Sequence, residues 1–192
     1  VFRVRCEDAE FGVGVYDREL HGISAERFRG IPAVYFQDAT SIVSNLKNDG
    51  YTCVAMHPYY ETGGAAMQLY PDLGFDETHF IDDFANEASA EYITDRELYE
   101  KIIDRYESRA ANEDLFIMSI SMQTMAGYTE STNNFDEEVR LLGLTNPDVN
   151  QYLSLVHESD SALEYLISYF QNVDDPVEIV FFGDHQPSLS SS

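Results

Sequence analysis

The chain has 192 residues, enough for one domain with a sizeable core. Its 35 acidic residues against 11 Lys and Arg give a formal net charge of -24, which repels phosphate backbones and argues against nucleic-acid binding. No apolar run approaches the ~20 residues of a membrane-spanning helix, and the two cysteines, Cys6 and Cys53, are too few for a disulfide framework. The acidic surface has two interpretations, a solvated surface or one that attracts cations.

The first half of the chain alternates helical and strand patterns. Apolar spacing predicts a helix over residues 38–48, with Gly50 placed to end it. The run 53–56 (CVAM) predicts a buried strand, and His57 follows at its carboxyl end. Residues 94–97 (TDRE) form the pattern of a capping box, so a further helix is expected to begin there.

The second half continues the alternation. Residues 115–121 (LFIMSIS) are apolar on both faces, which is typical of a central parallel strand. Asn146 and Pro147 predict an N-cap and first turn, and helical spacing then extends to about Asn172. The apolar run 177–182 predicts a last buried strand.

Strands separated by crossover helices predict a parallel sheet with helices on both faces. In such sheets the chemistry lies beyond the carboxyl ends of the strands. Three segments are expected there: His57, residues 123–128, and the adjacent pair Asp184 and His185.

Histidines and carboxylates at strand ends are the candidate site residues. Asp184 and His185 stand side by side and can offer an oxygen and a nitrogen ligand to a divalent cation. The alternative for this pair is a cap or a salt bridge, and for His57 it is a hydrogen-bonded structural role. His79 and His157 lie in polar contexts and are predicted at the surface.

Several segments together resemble one family. Residues 50–60 (GYTCVAMHPYY) resemble the histidine-bearing strand of lipoteichoic acid synthase-like phosphoglycerol transferases, which belong to the sulfatase and alkaline phosphatase superfamily. Residues 70–76 (YPDLGFD), 150–155 (NQYLSL) and 182–188 (FGDHQPS) match the same family in the same order.

This resemblance implies an α/β fold, an alkaline-phosphatase-like three-layer sandwich with a mainly parallel sheet. Residues 1–192 would form a truncated part of such a domain, with residues 38–188 matched most closely. It also implies a position on the extracellular face of the cell membrane, with membrane association through segments outside this sequence.

The family also implies a reaction. A threonine alkoxide bound to one divalent metal ion, manganese or magnesium, takes glycerol phosphate from a phosphatidylglycerol head group and passes it to an acceptor. Related sulfatases act on sulfoesters through a cysteine converted to formylglycine. The expected partner is therefore a phosphatidylglycerol-type substrate or another phosphoester or sulfoester.

Site residues carry over from the family one by one. Asp184 and His185 match the late metal-binding pair, and His57 matches a histidine of the substrate pocket. Cys6 falls at the position of the nucleophile, although the proline and arginine expected around a formylglycine cysteine are missing, and an unmodified structural cysteine is the alternative.

The chain departs from the family at other positions. Residues 64–67 (GAAM) stand where the family has Trp-Asn-Arg-Asp, so the arginine that would clamp the phosphate is missing. Met125 replaces a second pocket histidine, and no counterpart of the first metal-binding carboxylate precedes Cys6. These departures predict impaired catalysis. A catalytically silent binding module and a plain phosphatase or sulfatase are the alternatives.

Overall fold

A computed structural model describes residues 3–4, 41–60, 70–84, 92–125, 127–128, 136–143, 146–184, 186–187 and 189. In chain order the elements are β1 (Arg3–Val4), α1 (Ile42–Asn48), β2 (Thr52–Met56), β3 (Glu77–His79), a 3-10 turn (Ile81–Asp83), α2 (Asp95–Glu107), β4 (Leu115–Ser119), α3 (Pro147–Phe170) and β5 (Val180–Phe181).

The main sheet has three strands in the order β3-β2-β4, and all of its pairings are parallel. Hydrogen bonds continue the pairing past the strand ends, from His57 N to His79 O at 2.9 Å and from Ile120 N to Met56 O at 3.0 Å. A separate parallel pair joins β1 to β5. The predicted parallel sheet is therefore confirmed, with β2 at its centre.

The described helices end close to the predicted residues, but α1 begins at Ile42 and not at residue 38, because Ser41 is extended and serves as its N-cap. Ser41 caps α1 through Ser44 N at 3.1 Å, and Gly50 follows its end with a φ of 96°, a conformation that favours glycine. Thr94 and Glu97 form the predicted capping box of α2. Asn146 caps α3 through Val149 N at 3.2 Å.

Alternate residues of β2 supply two cores, one on each face of the sheet. The first core packs Val54 and Met56 against α2 and α3, with Leu98 at its centre. The second packs Cys53 and Ala55 against α1 and the segment that follows β2. Because helices cover both faces, the predicted three-layer α/β architecture is confirmed.

The structure corrects the predicted strands at three places. Residues 115–121 were interpreted as a central strand, but β4 ends at Ser119, is half-buried along its length and lies at an edge of the main sheet in the described ranges. Strand β3 was not predicted, because its residues Glu-Thr-His are polar; Arg105 on α2 holds it by two hydrogen bonds to Glu77, at 2.8 and 2.9 Å. The run 177–182 is not a buried strand. Only Val180–Phe181 forms a strand, and Val180 is 56% exposed, because within the described ranges β1 is its one strand partner.

Candidate functional site

His57 lies immediately after β2, at the carboxyl edge of the main sheet. Its backbone N–H donates to His79 O, and its carbonyl accepts from Tyr59 N at 2.7 Å in a tight turn around the buried Pro58. The backbone of His57 is thus fixed on both sides, by the neighbouring strand and by the turn.

The His57 ring is held by side chains from two other segments. Its Nδ1 lies 3.2 Å from Tyr70 Oη, and its Nε2 lies 3.3 Å from Met122 Sδ. The Tyr59 ring stacks on it with centroids 6.2 Å apart. Burial lowers the pKa of His57 to about 4, against the opposing effect of the negative charge of Asp184. The imidazole is therefore neutral near pH 7.

Asp184 comes three residues after β5 and is half-buried. Since its charge raises the pKa of His57, the structure brings these two predicted site residues into one electrostatic neighbourhood. The other predictions, Cys6, His185 and the substitutions at residues 64–67, lie outside the described residues.

The loop after β4 carries Met122 to the His57 ring, and a buried polar network anchors this loop. Gln123, 2% exposed, accepts from Asp95 N at 2.8 Å and donates to Leu155 O at 3.2 Å. Ser159 Oγ donates to Asp95 Oδ2 at 2.6 Å, and burial raises the pKa of Asp95. Residues 123–128 were predicted at this edge, and the described part of the segment lies there.

Met125, the substitute for the second pocket histidine, is 39% exposed. Its backbone N–H donates to Met122 O at 3.0 Å, so the thioether sits on the same loop as the contact to His57. A thioether is only a weak acceptor and cannot donate to a phosphoryl oxygen. This position therefore contributes packing and shape.

Sequence reasoning missed Tyr70 and Met122, because no local pattern marks a residue that reaches His57 from a distant segment. Two other histidines, His79 and His157, lie in the described ranges and differ in their exposure. His157 is exposed as predicted, whereas His79 is half-buried between Glu77 at 3.6 Å and Asp83 at 3.7 Å. His79 therefore belongs to β3 packing and not to the open surface.

A metal ion would need more ligands than the described residues bring together. Among those residues no group of three His, Cys, Asp or Glu side chains is placed to hold an ion. Asp184 offers one hard oxygen ligand, and both ring nitrogens of His57 already face protein atoms. The described residues alone do not fit a metal ion, so no catalytic step is derived through one.

The fold is a three-layer α/β domain built on a parallel sheet, with His57 at the carboxyl edge of that sheet. The family model "Sulfatase" matches residues 20–192, and the chain belongs to that family. Members of the sulfatase and alkaline phosphatase superfamily are typically hydrolases or transferases. The predicted membership in the sulfatase and alkaline phosphatase superfamily, with a lipoteichoic acid synthase-like fold, is confirmed.

Two solved structures share the fold. The lipoteichoic acid synthase LtaP from Listeria monocytogenes matches with a TM-score of 0.72 and 18% identity, over 93% of this chain and 45% of its own. The Streptococcus pyogenes phosphoglycerol transferase GacH, in complex with sn-glycerol-1-phosphate, matches with a TM-score of 0.69 and 21% identity. This match covers 97% of this chain and 52% of the GacH chain.

Among curated proteins, the capsular polysaccharide biosynthesis protein RkpI from Rhizobium meliloti (strain 1021) is 32% identical over 148 residues. That match covers 76% of this chain and 26% of the relative, so the chain spans about a quarter of RkpI. No helix in the described ranges is both long and apolar enough to cross a membrane.

Proposed function

We propose that the chain is part of a metal-dependent phosphoglycerol transferase domain that acts on phosphoesters of the glycerol-phosphate type. The observation that carries the proposal is the electrostatic influence of Asp184, which follows β5, on His57 at the carboxyl edge of the main sheet. Family membership supports phosphoester or sulfoester chemistry, and the fold shared with a phosphoglycerol transferase supports glycerol phosphate within that class.

In this proposal the residues have separate roles. Neutral His57 contacts an oxygen of the phosphoryl group, because a neutral imidazole can donate one hydrogen bond without titrating near pH 7. Asp184 and His185 supply two ligands to a manganese or magnesium ion, and Cys6 occupies the nucleophile position. The ion, when bound, would offset the charge of the phosphoryl group. By family resemblance, the domain works on the outer face of the membrane.

A silent binding module is the second candidate function, and Met125 favours it. This side chain cannot replace a histidine that donates to the substrate, and the described residues supply only one carboxylate to the proposed metal ion. Such a module would keep the fold and bind a phosphoester without turning it over.

Thermal melting with Mn²⁺ tests the proposal. At about 100 times its dissociation constant, a specific ion raises the melting temperature of a chain of this size by about 5–10 °C. We expect this rise in the wild type and not in Asp184→Ala. Asp175→Ala is the matched control, because Asp175 pairs with Arg109 at the opposite edge of the sheet.

Non-specific attraction of Mn²⁺ to the acidic surface would raise the melting temperatures of the wild type and both variants equally. Equal rises would therefore contradict the metal assignment. Release of product from a glycerol-phosphate ester, in the same Mn²⁺ buffer, then separates the two candidates. Turnover supports the transferase or hydrolase. Stabilisation by sn-glycerol-1-phosphate without turnover supports the silent module.

A further inference from the structure

His57 is the only histidine in the described ranges whose two ring nitrogens both lie within hydrogen-bonding distance of an uncharged side chain. The two partners differ in what they can offer. A tyrosine hydroxyl can donate or accept, whereas a methionine thioether can only accept. This difference determines where the single proton of the neutral imidazole lies.

Two arrangements are possible. If the proton is on Nε2, it points to Met122 Sδ at 3.3 Å, and the Nδ1 lone pair accepts from the Tyr70 hydroxyl at 3.2 Å. If the proton is on Nδ1, it donates to Tyr70 Oη, and the Nε2 lone pair faces the lone pairs of the sulfur. The first arrangement satisfies both nitrogens, and the second leaves a buried acceptor without a donor.

We propose that Met122 is a positioning residue that, with Tyr70 bonded to Nδ1, holds His57 in the Nε2–H tautomer, so that the proton available to a substrate is on the nitrogen that faces the loop after β4. This inference deepens the proposed function, because it makes His57 a hydrogen-bond donor to the phosphoryl group and not a base or a metal ligand. When a substrate binds, the Nε2–H group donates to a charged phosphoryl oxygen in place of Met122 Sδ, which is a weak acceptor.

The surroundings of Tyr70 keep its hydroxyl in place and protonated. Tyr70 is 3% exposed, its ring meets Phe75 edge-on at 5.8 Å, and it stacks on Phe80 at 6.3 Å. Burial raises the pKa of Tyr70 well above its usual range, so the hydroxyl keeps its proton near pH 7.

Met122→Leu is a sharp test because it removes the thioether acceptor and keeps an apolar side chain of similar size. In the 192-residue chain labelled with ¹⁵N-histidine, at pH 7, long-range ¹H–¹⁵N correlation spectra distinguish the two tautomers, and His57→Gln assigns the signals. We expect Nε2–H for His57 in the wild type. Without the thioether, the ratio of tautomers shifts roughly fivefold toward Nδ1–H, the change that one neutral hydrogen bond produces.

Tyr70→Phe and Tyr106→Phe complete the experiment. Tyr70→Phe removes a hydrogen bond that Nδ1 makes in either arrangement and should keep Nε2–H, and Tyr106→Phe removes a hydroxyl that bonds Asp175 far from the site and should change nothing. An Nδ1–H signal in the wild type overturns the proposal, as does an unchanged ratio in Met122→Leu or a reversed ratio in Tyr70→Phe.

The tautomer spectra need neither metal nor turnover. If glycerol-phosphate esters are not turned over while the spectra follow the expected pattern, the proposed function fails and the role of Met122 stands. If turnover occurs and the spectra do not follow the pattern, the proposed function stands and the role of Met122 fails.

Discussion

The two halves of the candidate site are built very differently. His57 follows the central strand β2, which is buried from Cys53 to Met56, and its ring touches side chains from two other segments. Asp184 follows β5, a strand of two residues with Val180 56% exposed and Phe181 38% exposed. The histidine side is fixed by the core of the fold, whereas the carboxylate side depends on a single short pairing in the described structure.

The difference shows how this fold separates two tasks. A residue that must present one defined proton benefits from a rigid and dry setting, because neighbouring groups then fix its tautomer and its pKa. A metal ligand needs access to the ion and to solvent, so a half-buried position at the end of a short strand suits Asp184. Mutations in each half of the site test this difference through the free energy of unfolding.

The largest change in the free energy of unfolding is expected in the core that packs against β2, the strand that precedes His57. Leu98 on α2 is 1% exposed and packs in the cluster that contains Val54 and Met56 of β2. Leu98→Ala should lower the free energy of unfolding by about 2–5 kcal/mol, because the lost contacts leave a cavity. Urea unfolding measures this change, and a loss below about 1 kcal/mol would show that the core does not support β2 as described.

A change of intermediate size in the free energy of unfolding is expected when the pH falls. Since burial lowers the pKa of His57 to about 4, below its usual ~6.5, the unfolded chain binds a proton more readily than the folded one between these values. The stability that the neutral ring contributes is complete above pH 6.5 and is lost as the pH falls through this window to about 4.

The fall in the free energy of unfolding from pH 7.5 to 4 should therefore be smaller in His57→Gln than in the wild type, by up to about 3 kcal/mol. His157→Gln is the matched control, because His157 is exposed, and it should keep the wild-type fall. The numerous carboxylates titrate in all three proteins and cancel in the comparison. Identical falls would contradict the buried setting of His57.

The smallest effect is expected on the carboxylate side. Val180→Thr in β5 changes an exposed side chain and keeps a β-branched residue in the strand, so the free energy of unfolding should change by less than about 0.5 kcal/mol. A loss above 1 kcal/mol in urea unfolding would mean that this strand is buried as deeply as β2, and the contrast between the two halves would disappear.

The sequence was sufficient to predict the elements whose signals are local. Caps at Thr94 and Asn146, the end of α1 before Gly50, and the buried run of β2 follow from patterns of a few residues. The position of His57 at the carboxyl edge of the main sheet followed from the rule for parallel sheets. Asp184 follows β5, which pairs with β1 in the described structure, and its charge raises the pKa of His57.

Features that depend on distant contacts could not be predicted in this way. Strand β3 has no apolar alternation, and Arg105 holds its Glu77 from 28 positions away. Tyr70 and Met122 meet at one imidazole although 52 positions separate them in the sequence, and the family match of residues 70–76 does not show that Tyr70 contacts His57. The run 177–182 is as apolar as a central strand, and only its pairing partner decides its exposure.

The most direct test of the central claim, that His57 and Asp184 share one site, is the pKa of His57 measured by NMR in the wild type, Asp184→Asn and Asp175→Asn. Because the negative charge of Asp184 raises the pKa of His57, its removal should lower that pKa further, while Asp175→Asn should leave it unchanged. An unchanged or higher pKa of His57 in Asp184→Asn would contradict the shared site.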